Sequence, residues 1–122
     1  VAHGEEHVID RDHLREKWRL SAVEAAQAED RAARAREGKA IFLDGLIETL
    51  IEQAEDESRK LSQAKAERMA RTSDAFKKYL RTMHDLRLKA ELLRITERDL
   101  DRQYWAMVSS EATFRAEMRL TQ

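Results

Sequence analysis

Residues 55–76 read EDESRKLSQAKAERMARTSDAF, and this stretch decides how the chain is organised. Its first six residues carry no apolar side chain, which marks a chain reversal between two apolar-periodic segments. Ser62 stands where it can cap a short helix over Gln63–Arg71, with Leu61, Ala66 and Met69 turned inward. Thr72, Ser73 and Asp74 follow. These are three successive side chains whose oxygens accept from the free N–H groups of a helix start. The spacing therefore predicts a tip over residues 57–73, with one helix arriving and another leaving.

Upstream of the tip, Leu14, Trp18, Ala22, Ala25, Ala28 or Glu29, Ala32, Ala35, Lys39, Phe42 or Leu43, Leu46, Leu50 and Ala54 recur at three- and four-residue steps, with Glu29 and Lys39 imperfect positions in the stripe. They predict one helix over residues 11–56, capped by Asp10 or Asp12 and preceded by a flexible arm, residues 1–9. Gly38 and Gly45 each cost that helix about 1 kcal/mol against Ala. They read as tolerated, with a bend or a close contact as the other reading. Downstream, Phe76, Leu80, Met83, Ala90, Leu93, Leu100, Tyr104, Met107, Phe114 and Met118 form a second stripe, interrupted at Arg87 and Glu97. It predicts a helix over residues 74–119.

Two long helices and a short tip read as a single all-α domain, residues 1–122. The expected fold is a long antiparallel two-helix coiled-coil hairpin with a short helix at its tip. If residue 55 opposes 74, the stretch 22–35, with its seven alanines, faces residues 94–107. Small side chains then meet large ones, as a close-packed seam needs. The same register sets Trp18 opposite the Ala112 and Phe114 region, and Phe42, Leu43, Leu46 and Leu50 opposite Tyr79, Leu80, Met83 and Leu86. Ala28 and Ala32 are expected at the closest approach of the helices, and Ala33 outside it.

Composition excludes several classes. The 122 residues include no cysteine, no proline and three glycines. That removes disulfide scaffolds, thiol nucleophiles and cysteine-based metal centres, and it fits a reducing, cytoplasmic setting. Three glycines cannot furnish the turns of a β fold or a phosphate-binding glycine loop. No apolar run approaches the roughly 20 residues that cross a bilayer. The opening VAHGEEH is acidic and polar, unlike a secretory leader.

Catalytic and metal constellations are equally sparse. His3 and His7 are four apart, but Gly4 stands where a zinc-binding His-Glu-x-x-His helix needs its glutamate. No Glu-x-x-His occurs, so the pattern of carboxylate-bridged di-metal bundles is missing. Glu29 and Glu97 lie on the inner stripes near Arg31, Arg94 and Arg98, which reads as ion pairing rather than metal ligation. His84 beside Asp85 reads as a surface ion pair. No Ser–His–acid arrangement is suggested. The expectation is a non-enzymatic protein without cofactor or metal.

Charge is bipolar although the net charge is only −1. Residues 1–60 hold 15 acids against 10 bases, and residues 61–122 hold 9 acids against 13 bases. From Asp44 to Glu57 there are six acids and no base, whereas residues 65–89 carry eight bases against three acids. Acids at a helix C-terminus oppose its dipole, so a partner for them is expected. Asp44, Glu48, Glu52, Glu55, Lys77, Lys78 and Arg81 accordingly read as an interaction tip. Arg87, Arg94, Arg98 and Arg102 form a candidate nucleic-acid face on the second helix. Nearby Glu91, Glu97 and Asp101 and the lack of interleaved stacking aromatics favour a solvated face instead.

Apolar residues also spill beyond one seam. Ile47, Ile51, Leu88, Leu92, Ile95 and Trp105 cannot all face a single partner helix, so they read as a surface for a homodimer or another protein. Pairing of two hairpins into a four-helix dimer is the expected way to cover them.

Residues 64–80, AKAERMARTSDAFKKYL, and 110–120, SEATFRAEMRL, resemble segments of small α-helical proteins of bacteriophage and prophage genomes. The resemblance covers at most the second half and implies no catalytic residues. Proteins of that kind mostly lack an assigned activity. The surplus apolar surface, the lack of a catalytic constellation and the bipolar tip point to a protein–protein interaction module and, with the resemblance, to a phage-encoded modulator or inhibitor of a host protein. A nucleic-acid-binding accessory of phage recombination or replication is the alternative.

Overall fold

In the computed structural model, the backbone of residues 2–121 and the side chains of residues 10–121 are described. The described residues are helical apart from short turns and contain no strand. Helix α1 runs Ala2–Glu37, α2 Lys39–Asp56, α3 Gln63–Arg71 and α4 Asp74–Leu120. The chain divides into two compact units: residues 1–28 with 90–122, and residues 29–89.

Two boundaries differ from the sequence reading. Helix α1 begins at Ala2, so the stretch read as a flexible arm is helical from residue 2, and Asp10 and Asp12 lie inside the helix. No proline stands there to stop the backbone ladder from running on. The single helix expected over 11–56 is two helices, separated at Gly38 alone. Backbone bonding continues through the break: Gly38 N donates to the Arg34 carbonyl at 2.9 Å, and Phe42 N to the Gly38 carbonyl at 2.9 Å.

In the unit of residues 29–89, apart from the break at Gly38, local chemistry bounds the helices where the sequence places their ends. Helix α2 closes with a Schellman motif. Arg59 N donates to the Ala54 carbonyl at 2.7 Å and Ser58 N to the Glu55 carbonyl at 3.0 Å. Ser58 takes the left-handed conformation, φ 58°, that this motif needs. Ser62 Oγ accepts from Lys65 N at 3.2 Å and starts α3. Ser73 Oγ accepts from Phe76 N at 3.2 Å and starts α4.

Packing in this unit centres on Leu43 and Ile47 of α2, Ala66 and Ala70 of α3, and Phe76 of α4. Phe42, Leu46, Leu50, Ile51, Leu61 and Leu80 close around them. Ala66 and Ala70 are one turn apart and fully buried, and their small side chains let α3 lie close against α2. With α3 in the core beside Leu43 and Ile47, the start of α4 meets those residues rather than the end of α2. Phe42 stacks on Tyr79, with ring centroids 4.5 Å apart.

In the other unit, the start of α1 and the end of α4 run antiparallel. Arg11 donates to Glu111 at 3.1 Å, and Trp18 stacks on Tyr104 with centroids 5.4 Å apart. Trp18 thus meets Tyr104 instead of the Ala112 and Phe114 region, a register slip of about two helical turns. Ser21, Ala25, Ala28, Ala90 and Leu100 are buried along the seam. Ala28 is buried as expected; in the unit of residues 29–89, Ala32 and Ala33 are both half-buried, so the expected contrast between them is not seen.

Candidate interaction surface

At the seam of the α1–α4 unit, Glu97 receives two donors. Trp18 Nε1 donates to its Oε1 at 3.0 Å, and Arg94 donates to its Oε2 at 3.2 Å. The indole N–H, ahead of the arginine, holds the Glu97 carboxyl below the ordinary carboxylate range, and partial desolvation opposes this. Trp105 sits edge-on to Tyr104 at 5.4 Å while remaining half exposed. A shallow groove of about 490 Å³ runs beside Trp18, lined by Asp12, Arg15, Glu16, Arg19 and Ala22. There the Glu16–Arg19 hydrogen bond lowers the carboxyl's pKa and raises the guanidinium's.

This cluster takes up part of the candidate nucleic-acid face. Arg94 is committed to Glu97, with only 28% of its side chain exposed. Arg98 and Arg102 stay exposed, and Arg87, also exposed, makes an interaction within the protein.

The outward face of α4 is the more distinctive surface. Leu93, Glu97, Leu100 and Tyr104 turn toward the packed side. Leu92 and Ile95, spaced to share the opposite side, are 56% and 62% exposed, and in the unit of residues 29–89 Leu88 is 53% exposed. Of the six residues expected on a dimer or partner surface, Leu88, Leu92, Ile95 and Trp105 are exposed. Ile47 and Ile51 are not. Ile47 is 5% exposed in the core and Ile51 packs against that core. The correction follows from α3, which covers a side of α2 that a lone pair of helices would leave wet.

The tip residues Asp44, Glu48, Glu52, Glu55, Lys77, Lys78 and Arg81 are all exposed. Among the described residues none of the seven forms an ion pair with another. The ion pairs near the tip are Glu57 with Arg59 and Glu67 with Arg71.

The side chains of His3 and His7 lie outside the described residues. Among the described residues, no group of three or more His, Asp or Glu side chains comes together as a metal site requires. No helix among them is long and apolar enough to cross a membrane.

Sequence reasoning missed the Trp18–Glu97 bond, the Arg11–Glu111 bridge and a contact of Tyr79 with Ala35 beside Gly38. Only the last left a signal, a glycine inside an otherwise regular helical pattern. No family model, curated protein or solved structure matches this chain.

Proposed function

We propose that the chain is a non-enzymatic protein–protein interaction module whose α4 face is covered by a helix of another protein molecule. The observation that carries this reading is the exposure of Leu92 and Ile95, on the side of α4 away from its packed face. Burying one such side chain contributes about 1.5–3 kcal/mol. A row of them on one helix is the usual anchor of helix-in-groove and helix-pairing recognition.

The test is a photo-cross-linking residue at position 95, with position 24 on α1 as the exposed control, expressed in the native cell. A protein adduct at 95 and none at 24 is expected. Equal labelling at both positions, or none at 95, overturns the reading.

A further inference from the structure

The two compact units differ in what holds each of them closed. In the unit of residues 29–89, three helices meet, and Leu43, Ile47 and Phe76 are buried together with Ala66 and Ala70. The unit of residues 1–28 and 90–122 has two helices and no third element to close over their seam. Among the described residues, α1 buries only Ser21, Ala25 and Ala28 there, and α4 buries Ala90 and Leu100. The larger side chains, Leu14, Trp18, Leu93, Tyr104, Met107 and Val108, are half-buried. Apolar stabilisation grows with the area removed from water, so this seam gains less of it than the three-helix core.

Polar groups supply part of the closure. Trp18 donates to Glu97 and Arg11 to Glu111 across the seam, and both carboxylates are largely buried. Glu111 Oε1 is buried with no hydrogen-bond partner among the described residues. A buried carboxylate oxygen without a donor carries a desolvation cost that opening the seam to water relieves. Separating the two helices also breaks no backbone hydrogen bond, because those bonds run within each helix.

We propose that α1 up to residue 28 and α4 from residue 90 form a clasp, which opens in one cooperative step while the unit of residues 29–89 stays folded. A small buried apolar area and a seam closed by polar bonds mark a unit of low local stability, the kind from which moving elements are drawn. Opening frees Trp18, Leu100 and Tyr104 from the seam. The clasp works whether or not another molecule covers Leu92 and Ile95.

Both tryptophans, Trp18 and Trp105, lie in the clasp, so tryptophan emission reports on that unit alone. In a urea titration of the full chain, the emission change should have its midpoint at lower urea than the loss of helical ellipticity, which sums both units. Leu100→Ala should move the emission midpoint to still lower urea and leave the later ellipticity step in place. In native-state hydrogen exchange, amides of residues 14–28 and 98–108 should exchange at least about tenfold faster than those of residues 43–54 and 76–83. Leu100→Ala should quicken both clasp segments together. Coincident emission and ellipticity transitions, or equal protection in the two units, would overturn the proposal. Exchange that quickens in Leu100→Ala only beside residue 100 would do the same, since the clasp would then not open as one step.

Discussion

The Tyr79 hydroxyl donates to the Ala35 carbonyl at 2.5 Å, and it lies 3.1 Å from the point a Cβ on Gly38 would occupy. The glycine that interrupts the α1–α2 backbone therefore makes room for a tyrosine arriving from α4. Gly45, with open space where its Cβ would be, has no such role.

This contact predicts the sign of two substitutions. Gly38→Ala improves helix propensity by about 1 kcal/mol. In the wild type the new methyl crowds the tyrosine oxygen and weakens a hydrogen bond worth about 1 kcal/mol, so no net gain is expected. In a Tyr79→Phe background only the Arg34 carbonyl, at 3.2 Å, still crowds the methyl, and Gly38→Ala should be more favourable than in the wild type, by up to about 1 kcal/mol. Urea unfolding of the four-variant cycle checks this, and equal effects in both backgrounds would dismiss the tyrosine's role.

Ser58 offers a simpler gain. It holds a left-handed φ of 58°, which costs an L residue about 1–2 kcal/mol and a glycine little. Ser58→Gly should therefore raise the melting temperature. Glycine's greater freedom in the unfolded chain offsets part of the gain, leaving about 0.5–1 kcal/mol. The same change at Ser62, whose hydroxyl caps α3, should lower stability by a few tenths of a kcal/mol.

Burial predicts a contrast between two isoleucines that the sequence places on one surface. Ile47→Ala empties part of the core around Phe76 and should cost about 2–5 kcal/mol. Ile95→Ala removes an outward side chain and should change the stability of the dilute chain by less than about 0.5 kcal/mol. Denaturant midpoints measured at one low concentration separate the two.

The Trp18–Glu97 bond makes stability depend on pH on the acid side. The Glu97 pKa in the folded protein is below the ordinary carboxylate value of 4.5. Its contribution is thus fully present above about pH 4.5, and it is lost as pH falls through the lower folded value. Glu97→Gln should flatten that part of the stability profile, and Trp18→Phe should do so in part, because Arg94 remains. Thermal melts between pH 3 and 6 give the comparison. An unchanged acid limb in Glu97→Gln would show that the carboxylate is not coupled to folding.

Read by itself, the sequence determined what is local. Ser62 and Ser73 cap the helices they were expected to cap, α3 spans Gln63–Arg71, and α4 begins at Asp74. A cap is a bond between a side chain and an amide three residues on, so neighbours along the chain suffice to specify it. The inner stripe of α4 was legible for the same reason, since helical spacing alone assigns Phe76, Ala90, Leu100 and Tyr104 to one side. Likewise the apolar excess at Leu88, Leu92 and Ile95 was visible as surplus beyond one seam. Register and cover were decided in three dimensions. Nothing near Trp18 in sequence says that it meets Tyr104 and Glu97, and nothing near Ile47 says that α3 will help enclose it. A slip of two helical turns keeps the same kind of residue on each inner stripe, so periodicity cannot tell one register from the other. The choice falls to contacts between distant residues: alanines at 66 and 70 small enough to bring α3 onto α2, and a glycine at 38 that admits the Tyr79 hydroxyl.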